Sequence, residues 1–294
     1  MRIGIVGISG FIGNILACAA HDAGHTVVGF SRRTTPQERG DFEMRHFDPA
    51  IPLPLQDLDA VVNLAGESIF SRWTPAKRKR ILDSRVNSTR HIVNSLALHG
   101  NVRALVNISA IGFYGERGDT VLDEASSPGT GFLAEVTQAW EAEAVRAAEH
   151  GVRVVLPRLG MVLGKHGGAN ALLKPVFRCG LGGKLGSGRQ WMSCIHVEDV
   201  AGIVLFALGK ENLSGPINTV TETPLRNSDF TRVAAHAAHR PAFFAVPAFV
   251  LKLALGSMSR MILDSQRVLP ARAMEEGYPY RFTTLESAVK NVFE

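Results

Sequence analysis

The chain begins with apolar runs that alternate with amphipathic segments. Residues 3–6 form the first apolar run, and a second covers residues 26–30. Between them, apolar residues recur at the spacing of a helical face: Ile12, Ile15, Leu16, Ala19 and Ala20. Gly24 ends this segment as a C-terminal helix cap would. The order predicts a strand, a helix and a second, parallel strand.

The same alternation continues along the chain. Further strands are predicted near residues 44–47, 59–66, 104–108 and 152–156, and helices over 75–98 and 132–149. A short strand at 191–197, a helix at 198–208, a strand near Ile217 and a helix at 227–239 follow. We therefore predict an α/β fold, a Rossmann-type doubly wound parallel sheet with a smaller C-terminal substrate domain.

The composition changes after residue 163. Glycine is dense from residue 164 to 188 and is mixed with lysine and arginine, which favours a flexible cationic loop region. We expect an NAD(P)-binding Rossmann domain at 1–163, a substrate-loop region at 164–240 and a small C-terminal domain at 241–294, with residues 191–220 returning to the first domain. The apolar stretch 242–258 is interrupted by Pro247 and Lys252 and falls short of a membrane span, so we interpret it as a buried or docking helix.

A glycine-rich turn, GISGFIG, lies between the first strand and the first helix. Gly7 permits a tight turn, Gly10 lets the backbone approach a pyrophosphate, and Gly13 allows close packing of helix on strand. The free N–H groups and the positive end of the helix face the anion. The spacing is GxxGxxG, so the context of strand and helix carries the prediction of a dinucleotide site.

The end of the second strand predicts which dinucleotide is preferred. Ser31, Arg32 and Arg33 stand where an NAD-binding unit places an acidic residue for the ribose 2′-hydroxyl. A guanidinium group there favours a 2′-phosphate, because its hydrogen bonds to phosphate are charge-assisted. We predict NADP(H); two solvated surface arginines are the alternative.

Composition and charge limit the other functions. The chain has 294 residues, 46% of them hydrophobic and 20% charged, which is typical of a folded, enzyme-sized protein. Its three cysteines have no CxxC spacing and suit a reducing cytoplasm, and no metal site is indicated. Because a strand is predicted to start at Arg2, we expect no cleaved signal sequence. Residues 72–90 are strongly basic, but without a nucleic-acid module we interpret them as a solvated helix face that attracts anionic ligands. We expect neither a nucleic-acid nor a membrane partner, and the oligomeric state stays open.

Seven stretches together resemble an extended short-chain dehydrogenase/reductase: GISGFIG, GFSRR, VVNLAGESI, SRVNSTR, PRLGMVLG, GLGGKLGSGRQWMSCIHVEDVAG and DSQRVLPARAMEEGYPYRF. More narrowly, the chain resembles the atypical epimerase-family proteins, related to NADP-linked sugar-nucleotide epimerases, whose short C-terminal domain has no assigned function. The resemblance implies pyrophosphate contacts from Gly7, Ser9, Gly10, Phe11, Ile12 and Gly13, and 2′-phosphate contacts from Ser31 and Arg32. It implies further cofactor contacts from the turn formed by Leu64, Ala65 and Gly66, and from Arg85 and Val162.

The catalytic residues of extended dehydrogenases are missing. That family uses a tyrosine, a lysine four residues later and a serine, whereas no YxxxK occurs anywhere in this chain. The matching positions hold Leu133 for the tyrosine, Thr137 for the lysine and Ala110 for the serine. The arginine expected to hold a nucleotide diphosphate is replaced by Met192, so a nucleotide-sugar substrate is not indicated.

Two functions therefore remain open. The first is an NADP-dependent oxidoreductase or epimerase that acts on an unidentified anionic small molecule. Proton transfer would then need another group, and the candidates are Ser109, Tyr114, Glu135 and Glu67, each of which has a structural role as its alternative. Possible substrate contacts are Arg178, Lys184, Arg189 and Gln190. The second function is a non-catalytic NADP(H)-binding sensor or regulatory protein.

Overall fold

A parallel sheet forms the centre of the computed structural model, which describes residues 1–32 and 42–293. Its seven main strands are β1 (Arg2–Val6), β2 (Thr26–Ser31), β3 (Glu43–His46), β4 (Ala60–Asn63), β5 (Ala104–Asn107), β6 (Arg153–Leu159) and β7 (Gly215–Thr219). They lie in the order β3-β2-β1-β4-β5-β6-β7, and every neighbouring pair is parallel. The two-residue strand Ser109–Ala110 also pairs with β6.

This strand order confirms the predicted Rossmann-type fold. The chain moves outward from β1 to β3, returns across the sheet to β4, and then moves outward in the other direction. The direction reverses between β1 and β4, and doubly wound sheets bind ligands in the crevice at that switch point.

Helices cover both faces of the sheet. The helices of the described residues are α1 (Phe11–Asp22), α2 (Pro75–Leu96), α3 (Phe132–Val145), α4 (Asn170–Arg178), α5 (Val197–Gly209), α6 (Asn227–Ala237), α7 (Ala248–Leu255), α8 (Arg260–Leu263), α9 (Ala271–Glu275) and α10 (Leu285–Phe293). Of these, α1 and α5 lie on one face of the sheet, and α2 and α3 lie on the other. Val62 and Val106 belong to the core under α1 and α5, whereas Val61 and Leu105 belong to the core under α2. Successive residues of a strand point to opposite faces, which is why these strands are apolar throughout.

Short elements complete the fold. Three 3-10 helices cover Ile111–Tyr114, Arg146–His150 and Gly256–Ser259. Met161–Gly164 pairs with Gly167–Gly168 and with Cys194–His196, and Trp191–Met192 pairs with Leu225–Arg226. Gly183–Leu185 pairs with Phe244–Val246, and Val121–Leu122 pairs with Arg267–Val268. The last pair joins the segment after β5 to the C-terminal part of the chain.

The glycine-dense segment has more regular structure than a flexible loop. It contains α4 and two of the short strands. Gly164 lies against the ring of Phe11: a Cβ atom at Gly164 would be only 2.5 Å from the ring carbon Cζ. Gly167 and Gly168 lie against the same ring. These glycines make room for an aromatic side chain, and only the tertiary structure reveals that reason.

The apolar stretch 242–258 is not one buried helix. It forms the strand Phe244–Val246 and helix α7, in which no residue is buried. Phe249 and Leu253 expose 71% and 80% of their surface. No helix within the described ranges combines the length and apolarity that a bilayer crossing needs.

Candidate functional site

The glycine turn adopts a conformation that requires glycine at its first position. Gly7 has φ +91°, in the left-handed region that side chains disfavour. A Cβ atom at Gly7 would lie 3.1 Å from the carbonyl carbon of Leu64 and 3.2 Å from the nitrogen of Ala65. The turn after β1 therefore touches the turn after β4, and the predicted residues of both turns lie together at the switch point.

The start of α1 leaves its positive end available. Gly10 is the N-cap and has no side chain to accept the first N–H groups, and the first turn contains no acidic residue. A Cβ atom at Gly13 would overlap the carbonyl oxygen of Gly7, so glycine lets the helix lie directly against the turn. Ser9 is exposed, and Phe11 and Ile12 are half-buried. Such an end attracts anions because of the helix dipole and the free N–H groups.

The end of β2 lies beside this turn. The backbone N–H of Gly7 donates to the carbonyl of Phe30 at 3.3 Å, which joins the two carboxyl ends. Ser31 ends β2, and Arg32 follows it with an exposed side chain. Arg33, also part of the predicted basic end, lies outside the described residues.

Arg85 lies under the turn that follows β4. Its Nη1 donates to the carbonyls of Glu67 at 3.0 Å and Ile81 at 3.2 Å, and its guanidinium lies 5.1 Å from the centre of the Trp140 ring. A Cβ atom at Gly66 would lie 3.2 Å from the guanidinium carbon. Burial lowers the pKa of Arg85 to about 10. The side chain is thus a fixed, partly desolvated cation at the edge of the crevice.

Val162 lies on the other side of α1. It pairs with Ile195, and its carbonyl accepts from the backbone N–H of Ala169 at 3.0 Å. Gly168 lies in the same hairpin as Val162, and a Cβ atom at Gly168 would come within 3.0 Å of Cε1 of the Phe11 ring. The hairpin therefore closes over the first turn of α1.

A buried polar network, which the sequence analysis missed, supports the crevice. The amide nitrogen of Asn63 donates to Thr89 Oγ1 at 2.9 Å and to Asn107 Oδ1 at 2.6 Å, while its oxygen accepts from the backbone of Ala65 at 3.1 Å. Trp140 Nε1 also donates to Thr89, at 2.9 Å. An asparagine ends each of the apolar runs VVN and LVN, and this repeated position was the available signal.

Ser109 belongs to a second buried network. Its hydroxyl donates to Glu141 Oε1 at 2.6 Å, and Arg158 makes two hydrogen bonds to the same carboxylate, at 2.9 and 2.8 Å. The exposed fractions of Ser109 and Arg158 are only 1% and 4%. The serine hydroxyl is engaged with an ion pair and faces no open space.

Tyr114 lies in the same network. Its hydroxyl donates to Asn218 Oδ1 at 2.7 Å and accepts from Arg158 Nη1 at 3.0 Å. The residue is fully buried, and burial raises the pKa of its phenol. A catalytic tyrosine of a dehydrogenase needs the opposite shift and an open path to substrate.

The positions that match the missing catalytic pair are filled by uncharged side chains. Thr137 Oγ1 donates to the carbonyl of Leu133 at 2.9 Å, so the lysine position carries a hydroxyl bonded within its own helix.

The two acidic candidates for proton transfer lie elsewhere. Glu135 is exposed on the first turn of α3. Glu67 forms an ion pair with Lys77 at 2.6 Å, and this hydrogen bond lowers the pKa of its carboxyl. Glu67 is therefore ionised at neutral pH.

Several of the basic residues of 72–90 are paired with carboxylates. Lys77 contacts Glu67, Lys79 contacts Asp83, and Arg90 contacts Glu143 at 2.9 Å. This pairing leaves less free positive charge than the sequence indicates.

The residues proposed from the glycine-rich segment differ in their burial. Arg178, Lys184 and Arg189 are exposed, whereas Gln190 is buried and donates to the carbonyls of Leu185 and Ile262 at 3.0 and 3.1 Å. Among the residues with described positions, no group of His, Cys, Asp and Glu has the arrangement of a metal site.

Comparison with models of known protein families identifies the family of this chain. The model of the NAD dependent epimerase/dehydratase family matches residues 3–219. The chain belongs to this family. A second model, a domain of unknown function (DUF1731), matches residues 246–292. Both findings confirm the resemblance to epimerase-family proteins that have a short C-terminal domain of unassigned function.

Relatives of similar length come from distant organisms. The epimerase family protein Mb2239 of Mycobacterium bovis is 37% identical, with 98% of this chain and 96% of the relative covered. The chloroplastic SDR39U1 homologue of Arabidopsis thaliana is 35% identical, with 100% and 87% covered. Similarity therefore extends through both matched regions of this family member.

One solved structure matches this chain in fold over its whole length. The human epimerase family protein SDR39U1 (isoform 2), crystallised with NADPH, has a TM-score of 0.93 and 33% identity and covers 100% of this chain and 99% of its own. A UDP-N-acetylglucosamine 4-epimerase from Bacillus cereus has a TM-score of 0.80 at 18% identity, which shows the common fold alone.

Proposed function

We propose that this protein binds NADP(H) in the crevice between β1 and β4. The observation that carries the proposal is the open, unneutralised start of α1, placed by Gly7 and Gly13 against the turn at Leu64. That arrangement suits a pyrophosphate. The likeness to the NADPH-bound human protein supports the same cofactor.

Within this proposal, the predicted residues take distinct parts. The turn from Gly7 to Gly13, including Ser9, Gly10, Phe11 and Ile12, holds the pyrophosphate. Ser31 and Arg32 hold the 2′-phosphate beyond the end of β2. The turn from Leu64 to Gly66, together with Arg85 and Val162, borders the rest of the dinucleotide. When bound, the cofactor supplies a hydride donor or acceptor.

Thermal unfolding with four nucleotides tests this binding. A ligand at 100 times its dissociation constant adds about 2.7 kcal/mol to the free energy of unfolding. We expect stabilisation by NADPH and NADP, and a large loss of it in Arg32→Asp. Arg103→Asp is the matched control, because Arg103 is exposed and precedes β5 at the opposite edge of the sheet. No shift with any nucleotide would overturn the proposal.

The proposed activity is that of an oxidoreductase or epimerase for a small anionic molecule. Family membership supports this activity. It is tested by incubating the protein with NADPH deuterated at the transferable position and a broad metabolite extract. Deuterium in a product supports the enzyme; its absence from every metabolite counts against hydride transfer.

A non-catalytic sensor is the second candidate, and one observation favours it. Ser109 and Tyr114 are both buried and bonded to the Glu141–Arg158 ion pair, so neither is free to serve a substrate. In a sensor, NADP(H) changes association with a partner and is not consumed. Pull-downs with and without NADPH test this function, and partner binding that ignores the nucleotide contradicts it.

A further inference from the structure

A cavity of about 240 Å³ lies beside the N-terminal end of α3. Three segments that are distant in sequence line it, and they contribute Trp73 and Arg78, then residues 130–133 and Glu135, then Ser257, Arg260 and Asp264. The last three belong to the region matched by the domain of unknown function. That region therefore completes a cavity whose other walls come from the Rossmann part.

Two guanidinium groups border this cavity. Arg78 lies over the ring of Phe132, with its guanidinium carbon 5.0 Å from the ring centre, and it has no carboxylate partner in the described part of the chain. Arg260 uses Nε to contact Asp264 at 3.1 Å, whereas its Nη1 faces Gly131, where a Cβ atom would come within 2.7 Å. Both side chains thus keep N–H donors that no acid among the described residues uses.

The acids in the lining do not cancel this positive charge. Asp264 is already paired with Arg260. Glu135 on the first turn of α3 and Arg260 are both exposed, so solvent and salt screen the charge of each. Arg78 remains as a half-buried cation with no counter-ion in the part of the chain that the structure describes, which favours an anionic ligand.

The walls and the size restrict the kind of anion. Trp73 and Phe132 form an edge-to-face pair with ring centres 5.1 Å apart, which supplies an apolar wall. The volume of about 240 Å³ lies below the roughly 300–1,000 Å³ of sites for drug-sized ligands, which favours a small ligand. Two guanidinium groups beside an apolar wall suit a carboxylate attached to a small apolar body.

The cavity and the proposed cofactor crevice are bordered by the same loop after β4. The loop that leaves β4 passes through Leu64 and Gly66 and reaches the cavity at Trp73. Leu133 of the cavity wall lies against the segment after β5, since a Cβ atom at Gly112 would be 3.2 Å from its Cβ. Both regions are thus at the carboxyl edge of β4 and β5.

We propose that this cavity is the substrate site, and that Arg78 and Arg260 bind the carboxylate of a small organic acid. The inference rests on the proposed NADP(H)-dependent activity, which it deepens by naming the substrate class. It also gives the C-terminal region a role in substrate binding, because that region contributes Arg260 to the site.

The test uses benzoate as the probe and benzamide as its neutral counterpart. Titration calorimetry on the full chain saturated with NADP compares the wild type with Arg78→Gln and Arg260→Gln. The matched control is Arg80→Gln, because Arg80 lies on the same helix, is 62% exposed and does not line the cavity. Inorganic phosphate is the third ligand.

We expect benzoate to bind the wild type and Arg80→Gln equally, and its dissociation constant to rise about 10- to 100-fold in the other two variants, because each loses a charge-assisted hydrogen bond. Benzamide should bind more weakly than benzoate and be unaffected by the substitutions. Unchanged benzoate binding in Arg78→Gln, no benzoate binding, or phosphate binding more tightly than benzoate would each overturn the inference.

Thermal unfolding with NADPH, run on the same samples, separates this inference from the proposed function. Stabilisation by NADPH without benzoate binding rejects only the substrate site. Absence of stabilisation rejects the proposed function, and benzoate titration without nucleotide then still reports on the cavity. The NADPH shift also shows that each variant is folded.

Discussion

The crevice between β1 and β4 and the region between β5 and α3 lie at the same edge of one sheet, yet they are built in opposite ways. In the crevice, glycine removes side chains and leaves backbone N–H groups open at the start of α1. Between β5 and α3, the polar side chains Ser109, Tyr114 and Glu141 are present but are buried and bonded to Arg158. The first region leaves backbone donors open to an anionic ligand, whereas in the second region the polar side chains bond to one another and stabilise the fold.

This difference explains why the sequence predicts the cofactor site well but predicts catalytic residues poorly. Binding an anion through the backbone needs only local geometry, so a short glycine pattern identifies it. Reactivity of a hydroxyl depends on its neighbours, and Arg158 and Asn218 take both hydrogen-bonding positions of the Tyr114 phenol. A reactive residue type at the right place in the sequence is therefore weaker evidence than a glycine turn.

The largest expected effect comes from breaking the ion pair of the second region. Arg158→Met leaves the Glu141 carboxylate buried without its counter-ion, so we expect a loss of about 3–5 kcal/mol in the free energy of unfolding. The double variant Arg158→Met with Glu141→Leu removes both charges and should recover most of that loss. Urea denaturation measures both, and equal stabilities of the single and double variants would contradict a paired role.

A smaller effect is expected from the turn of the first region. Gly7→Ala forces φ +91° on alanine and brings its Cβ to 3.1 Å from Leu64, so we expect a loss of about 1–3 kcal/mol and weaker NADPH binding. Gly24→Ala is the control, because Gly24 has φ +81° but open space around it. Denaturation with and without NADPH separates the loss of stability from the loss of nucleotide affinity. An equal loss of nucleotide affinity in Gly7→Ala and Gly24→Ala would show that the approach of Gly7 to Leu64 does not matter for binding.

Removing the serine hydroxyl sharpens the comparison further. Ser109→Ala deletes one hydrogen bond to a buried carboxylate, which costs about 1.5 kcal/mol of stability. Nucleotide affinity should stay unchanged, since the hydroxyl faces Glu141 and not the crevice. Unchanged stability combined with loss of hydride transfer would instead make Ser109 catalytic.

The smallest effect is a pH dependence in the second region. Burial raises the pKa of Glu124, whose Oε1 accepts from the backbone of Asn218 at 2.8 Å. A carboxyl with a raised pKa binds its proton more tightly when folded, so its contribution is stabilising at low pH and is lost as the pH rises through the folded pKa. Compared with Glu124→Gln, the wild type should lose stability with rising pH above the ordinary pKa of glutamate. A parallel pH profile in both proteins would contradict this.

Much of the fold could be predicted because its signals are local. The apolar runs at β1, β2, β4 and β5 and the amphipathic α1 each repeat with the period of their own element. The segment 164–188 could not be read in this way. Its glycines Gly164 and Gly167 serve the ring of Phe11, which is far away in the sequence.

Amino-acid sequence alone determined the α/β alternation, the glycine turn and the absence of a YxxxK pair, because each is a matter of residue type at short spacing. Tertiary structure decided which partner each polar side chain takes. Ser109 meets Glu141 32 residues later, and Tyr114 meets Asn218 104 residues later. It also brought Arg78 and Arg260 to one cavity. Contacts between residues so distant in sequence depend on how strands and helices pack together, and no local periodicity predicts them.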